Sequence, residues 1–300
     1  MTDILDPGGP EKIDKARHRP EPATTHHEWD GIKEYDNPMP RWWLWTFYAT
    51  IVWGVIYVIL FPAWPLVRGA TPGLLGYSSR ATVAAEVAGT RAANAALDAR
   101  LNEVELAAIA EDPELLQFAV AGGGAVFRNN CGQCHGAGGQ GALGGYPNLL
   151  DDSWLWGGTI DDIHQTVLHG IRFEPDPDTR FSQMPAFGEI LEPAEIDGLV
   201  QYVLALSGAD HDAEAAAAHA QSFADNCASC HGEGGEGMME LGAPDLTDSI
   251  WLYGGDPATI RDTIRFARYG IMPSFSWQNR LRPEDIRKVA LYVHSLGGGR

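Results

Sequence analysis

A five-residue motif constrains this chain more than any other feature. It occurs twice, as Cys131-Gly-Gln-Cys134-His135 and Cys227-Ala-Ser-Cys230-His231, and uses all four cysteines. C-x-x-C-H is the attachment signature of a c-type haem. The two thiols become thioethers to the porphyrin vinyl groups, and the adjacent histidine is set under the iron as proximal ligand. Competing readings fit poorly. A zinc site needs a far shorter spacing than the 96-residue offset from Cys131 to Cys227. A redox dithiol does not require histidine after both pairs, and four cysteines are too few to staple a secreted scaffold. The expectation is two covalently bound haem c groups.

The repeat extends beyond the motif. Phe127 and Phe223 each stand four residues before the first cysteine, on a predicted helix. Gly-rich loops follow, then Pro147-Asn-Leu and Trp154-Leu-Trp-Gly-Gly158, matched by Pro244-Asp-Leu and Trp251-Leu-Tyr-Gly-Gly255. Each copy closes with an amphipathic helix, Glu192 to Leu206 and Pro283 to Leu296, with Tyr202 matching Tyr292. The first copy carries an insertion, Arg172 to Gln183, that reads as a surface loop. Periodicity inside the copies is helical. Each reads as a small all-α domain wrapped around one haem, over 113–208 and 209–300.

An electron-transfer haem keeps a sixth ligand, and a Met thioether raises the potential. Met184 and Met272 recur at matched places, each before a proline, 49 and 41 residues after their proximal histidines. That separation lets the chain reach the opposite haem face. Ligation within each Met's own repeat is the default, with ligation of the neighbouring haem left open. His169 is a weaker rival, since its counterpart is Tyr269. Met238 and Met239 follow His231 too closely to cross the porphyrin, and His211, His219 and His294 read as surface residues. The carbonyls of Pro147 and Pro244 are candidates to accept from Nδ1 of the proximal histidines and fix their tautomer.

Upstream, no charged side chain lies between Arg41 and Arg68. Such a stretch is long enough to cross a bilayer. Trp42, Trp43 and Trp45 at one end and Trp64 at the other resemble interfacial anchors. The expected order is a tail (1–41), a transmembrane helix (42–62) and a linker with a helix (63–112). Lys12, Lys15, Arg17 and Arg19 tip the orientation toward a cytoplasmic N-terminus. With 21 Lys+Arg against 40 Asp+Glu the net charge is −19, which removes the basic footprint that nucleic-acid binding needs. Acidity of this kind suits steering of a basic partner.

The stretch Asp30-Gly-Ile-Lys-Glu-Tyr-Asp-Asn-Pro-Met-Pro-Arg-Trp-Trp43, leading into one span, then Tyr77-Ser-Ser-Arg80 and two haem motifs, resembles the dihaem subunit (CcoP or FixP, subunit III) of cbb3-type cytochrome c oxidases. The resemblance implies an all-α chain, one transmembrane helix followed by two tandem class I cytochrome c-like domains. It implies Cys131, Cys134, Cys227 and Cys230 as haem attachment residues, with His135, Met184, His231 and Met272 as axial ligands. It further implies a bacterial inner membrane, periplasmic haem domains, and a complex with a haem–copper catalytic subunit and a monohaem subunit. Electrons from a soluble cytochrome c would pass through this chain toward oxygen, with no oxygen-reduction site on it. The alternative is a dihaem electron-transfer subunit of another membrane dehydrogenase. Oxygen consumption by the purified complex separates the two.

Overall fold

The computed structural model describes residues 22–297, so the basic residues of the first 21 positions lie outside the described residues. The chain folds as two units that divide between Gly89 and Thr90.

In the first unit a hairpin, β1 (Thr24–Trp29) and β2 (Ile32–Tyr35), pairs antiparallel. Asp30 and Gly31 at its turn have φ of 49° and 83°, the left-handed pair that a type I′ turn requires. This hairpin is an addition to a fold that is otherwise mainly helical, as expected. Helix α1 (Arg41–Leu60) follows, with a mean hydropathy of 1.7 and no residue buried inside the protein. Twenty residues at ~1.5 Å each span about 30 Å, a hydrocarbon core's thickness. Pro62 follows one residue after its C-cap, Phe61, where the backbone turns extended. A two-residue pairing, β3 (Pro65–Leu66) with β4 (Gly69–Ala70), follows α1. The linker holds its predicted helix as α2 (Ser79–Glu103).

The second unit contains α3 (Leu106–Ile109), α4 (Pro113–Asn130), α5 (Gly132–His135), α6 (Ile160–His169), α7 (Pro193–Leu206), α8 (Ala213–Asn226), α9 (Ala228–His231), α10 (Pro257–Phe266) and α11 (Pro283–Ser295). It forms two lobes, and these do not follow the sequence repeats. One core joins Phe127, Cys131, Ile163 and Val167 to Phe275, Ile286, Val289 and Val293. The other joins Phe187, Ile196, Leu199 and Val203 to Phe223, Ile260 and Ile264. Helix α4 therefore packs on α11, and α7 on α8. The expected split into 113–208 and 209–300 marks the repeats but not the packed bodies.

The exchange has a local cause. Only Ser207–Asp212 separates α7 from α8, and so short a connection makes consecutive helices antiparallel neighbours. The end of the first repeat is thereby committed to the start of the second. The outer halves, α4–α6 and α11, are left to each other. Where the chain crosses between lobes, Ile171 and Met272 exchange both backbone hydrogen bonds, at 2.9 and 3.0 Å. The end of α2 and α3 pack on the first-motif lobe through Leu101, Leu106 and Ile109 against Leu115, Ala119 and Leu291.

Candidate functional site

Each motif sits on one helical turn continuing from a longer helix. The amide of Cys131 donates to the Phe127 carbonyl, and that of His135 to the Cys131 carbonyl, at 2.8 and 2.9 Å. Cys227 and His231 repeat both bonds at the same lengths. Phe127 and Phe223 are fully buried, so they anchor the helix that presents the cysteines. Gly136 and Gly232 turn the chain away at φ near +80°, a conformation that favours glycine.

The Pro147 carbonyl accepts from Nδ1 of His135 at 3.1 Å, and the Pro244 carbonyl from Nδ1 of His231 at 3.1 Å. Burial pushes both imidazoles below their ordinary pKa, against the opposing pull of those carbonyls. Each ring is therefore neutral at pH 7, with its second nitrogen free of protein hydrogen bonds among the described residues. A neutral imidazole oriented through Nδ1 is what a metal ligand requires. Burial first, and then the neighbouring Cys134 or Cys230, pushes the Cys131 and Cys227 sulfurs up to about 11. No disulfide joins any of the four cysteines. The donor set suits covalent haem attachment at both motifs.

The methionines occupy lobes opposite to the default expectation. Met184 packs against the core that holds Phe223 and Cys227. It also lines one cavity together with Cys227, Cys230, His231 and Pro244. Met272 packs against the core that holds Phe127 and Cys131. The helix exchange accounts for this placement: Met184 closely precedes Phe187 and α7, and α7 belongs to the second-motif lobe.

The remaining sequence candidates separate clearly. His169 is engaged through Nδ1 with Asp176, 3.3 Å away. Met239 is exposed and Met238 pairs with Ala243 through its backbone. His219 is no surface residue: its ring covers Gly198 across the α7–α8 contact, where a Cβ would collide with it. The insertion is more than a surface loop. Its Asp176 is 5% exposed, and its Arg180 bonds the Trp156 carbonyl and Asp162. Sequence reasoning also missed Lys288, buried on α11 and paired with Asp98 at 2.5 Å.

The lobes meet through equivalent residues. Trp156 lies against Gly242, and Tyr253 lies against Gly145. In the sequence repeat Trp156 corresponds to Tyr253 and Gly145 to Gly242, so these two contacts are equivalent.

Two family descriptions match the chain. "N-terminal domain of cytochrome oxidase-cbb3, FixP" covers residues 21–68. "Cytochrome C oxidase, cbb3-type, subunit III" covers 118–203 and 214–293. Among curated relatives, the Cbb3-type cytochrome c oxidase subunit CcoP of Cereibacter sphaeroides is 58% identical over 281 residues, covering 93% of this chain and 96% of its own. The CcoP subunit of Rhodobacter capsulatus is 54% identical, covering 95% and 99%. The FixP subunit of Azorhizobium caulinodans is 52% identical, covering 93% and 94%.

Proposed function

We propose a function from one premise: the chain belongs to the family of cbb3-type cytochrome c oxidase subunit III. It is a membrane-anchored dihaem c-type cytochrome that accepts electrons from a soluble cytochrome c. It passes them to the monohaem and haem–copper subunits of a cbb3-type oxidase, which reduces oxygen. Helix α1 is its single-pass anchor in a bacterial inner membrane, with the N-terminus cytoplasmic and both lobes periplasmic. When bound, haem c supplies one-electron chemistry with a potential tuned by its axial ligands.

The residues divide by lobe. Cys131 and Cys134 attach one haem, with His135 and Met272 as its axial pair. Cys227 and Cys230 attach the other, with His231 and Met184. Pro147 and Pro244 hold the proximal rings in one tautomer. The observation that carries this assignment is the single cavity shared by Met184, His231, Cys227 and Cys230. The second-motif cavity is lined by apolar side chains including Phe187, Leu199, Val203, Phe223 and Trp251, which limits water around that site.

The test tags one haem. Replacing Cys227 with Ala leaves a single thioether and shifts that haem's α-band to longer wavelength. In the tagged chain, Met184→His should lower the potential of the shifted band, and Met272→His that of the unshifted band. The reverse assignment would restore own-repeat ligation.

A further inference from the structure

Arg172 opens the insertion of the first repeat, and its backbone is left-handed, with φ of 53°. Its guanidinium lies over two aromatic rings, 5.7 Å from the Trp156 centroid and 5.8 Å from that of Tyr269. Nε donates to the Ser182 carbonyl, and Nη1 to the Gly270 carbonyl at 3.1 Å. Among the described residues, Nη2 has no protein acceptor and no carboxylate pairs with this side chain. In a chain with 40 acidic residues, a half-buried cation without a carboxylate is conspicuous. Burial also opposes its charge, pushing its pKa below the ordinary arginine value.

Tyr253 and Tyr269, not a carboxylate, are the ionisable groups that act on its charge. Arg172 lines the cavity of Met184 and His231, where Asp151 and Asp245 also stand. Arg268 also lines this cavity, but it already faces Asp262 at 3.5 Å and the Tyr253 ring. Arg180 is bound to Asp162 at 3.0 Å. Arg172 is thus the cavity-lining arginine whose charge is left uncompensated by the protein.

We propose that Arg172 binds a propionate carboxylate of the porphyrin attached at Cys227 and Cys230, with Trp156 and Tyr269 holding its guanidinium in place. A planar guanidinium with a free edge is matched to a carboxylate. The two rings fix its plane before the ligand arrives, and the two carbonyls fix its rotation. Held there, the positive charge favours the added electron of the reduced state and keeps the propionate ionised. Arg172 is a positioning and charge-compensating residue, supplied by the first repeat to the haem of the second motif. This inference rests on the crossed-lobe reading above.

The test uses the full chain in detergent, with Cys227→Ala as the spectral tag for one haem. Arg172→Gln should lower the potential of the tagged haem, leave the other unmoved, and make the tagged potential depend on pH in the neutral range. Arg172→Lys should recover most of the potential, whereas Arg180→Gln should reduce thermal stability without moving it. Covalent haem content, read from stained gels, should be unchanged. If Arg172→Gln fails to hold haem, Arg172→Met, which keeps the stem over the rings, takes the same readout. Unmoved potential and pH dependence with full haem content would overturn the proposal, as would a shift confined to the untagged haem. Failure of the crossed-lobe reading shows separately, when Met184→His leaves the tagged band in place.

Discussion

At the scale of single residues, the two motifs act through what holds them rigid. Phe127 and Phe223 are 0% and 1% exposed, and each touches a tyrosine of the closing helix, Tyr292 at 5.4 Å and Tyr202 at 4.9 Å. Truncating such a ring leaves a cavity beneath the cysteines. Phe223→Ala should cost about 3–5 kcal/mol, measured as the lowered midpoint for unfolding of the second-motif lobe. Asp162 gives a pH-dependent counterpart. Burial alone would raise its carboxyl, but Thr159 and Arg180 outweigh that and hold it below the ordinary value. A carboxylate with a depressed folded pKa contributes stability in full above its unfolded pKa of about 3.9 and loses it as pH falls through the folded value. Wild type and Asp162→Asn should therefore differ in thermal midpoint at pH 7 and converge well below pH 4. These residues were unequally legible. The cysteines, histidines and phenylalanines could be read because motif and repeat mark them. Arg172, Arg180 and Lys288 could not, because their roles depend on aromatic rings and carboxylates distant in sequence.

At the scale of elements, the exchanged helix pairing is encoded in side-chain size. Gly123 of α4 lies against the Lys288 backbone and Tyr292 of α11, and Gly198 of α7 lies against the His219 ring of α8. By the repeat, Gly123 corresponds to His219 and Gly198 to Lys288. Each observed pair thus joins a small residue to a large one. Pairing within each repeat would set Gly123 against Gly198, leaving a void, and His219 against Lys288, two bulky and basic groups. Packing at native density disfavours both. Gly198→Ala should therefore destabilise the second-motif lobe by about 1–3 kcal/mol, despite a gain of up to ~1 kcal/mol in helix propensity. Thermal melts followed at the tagged second haem would show it, and a neutral or stabilising result would remove the argument. The helices themselves were legible from periodicity. Their partners were not, because matching repeats suggest self-contained domains and the crossing depends on the short turn at Ser207–Asp212. The Asp30-Gly31 hairpin was marked by its turn dipeptide and still escaped a reading built on helical period.

For the whole molecule, the exchange redistributes charge and so bears on where an electron donor docks. Divided by sequence repeat, residues 113–208 hold 12 acids against 3 bases and 209–300 hold 13 against 8, a difference that favours the first domain. Divided by packed lobe, the balance reverses. Residues 183–271, which form the second-motif lobe, carry 15 acids against 3 bases, a net of −12. Residues 113–182 and 272–297, the first-motif lobe with the insertion bonded to it, carry 10 against 7, a net of −3. If the donor is the basic soluble cytochrome c proposed above, this charge should steer it to the lobe of Cys227 and Cys230. Complementary fields raise encounter rates without demanding a slow-releasing interface. With a Debye length near 8 Å at physiological salt, that steering weakens as salt rises. In the assembled oxidase, oxygen consumption driven by subsaturating basic cytochrome c should fall with ionic strength. Removing charge from the second-motif lobe, for instance Asp210→Asn with Glu214→Gln, should flatten that dependence more than Asp152→Asn with Asp161→Asn on the first. Equal flattening by the two pairs, or a rate insensitive to salt in the wild type, would leave the acidity as a solubility feature.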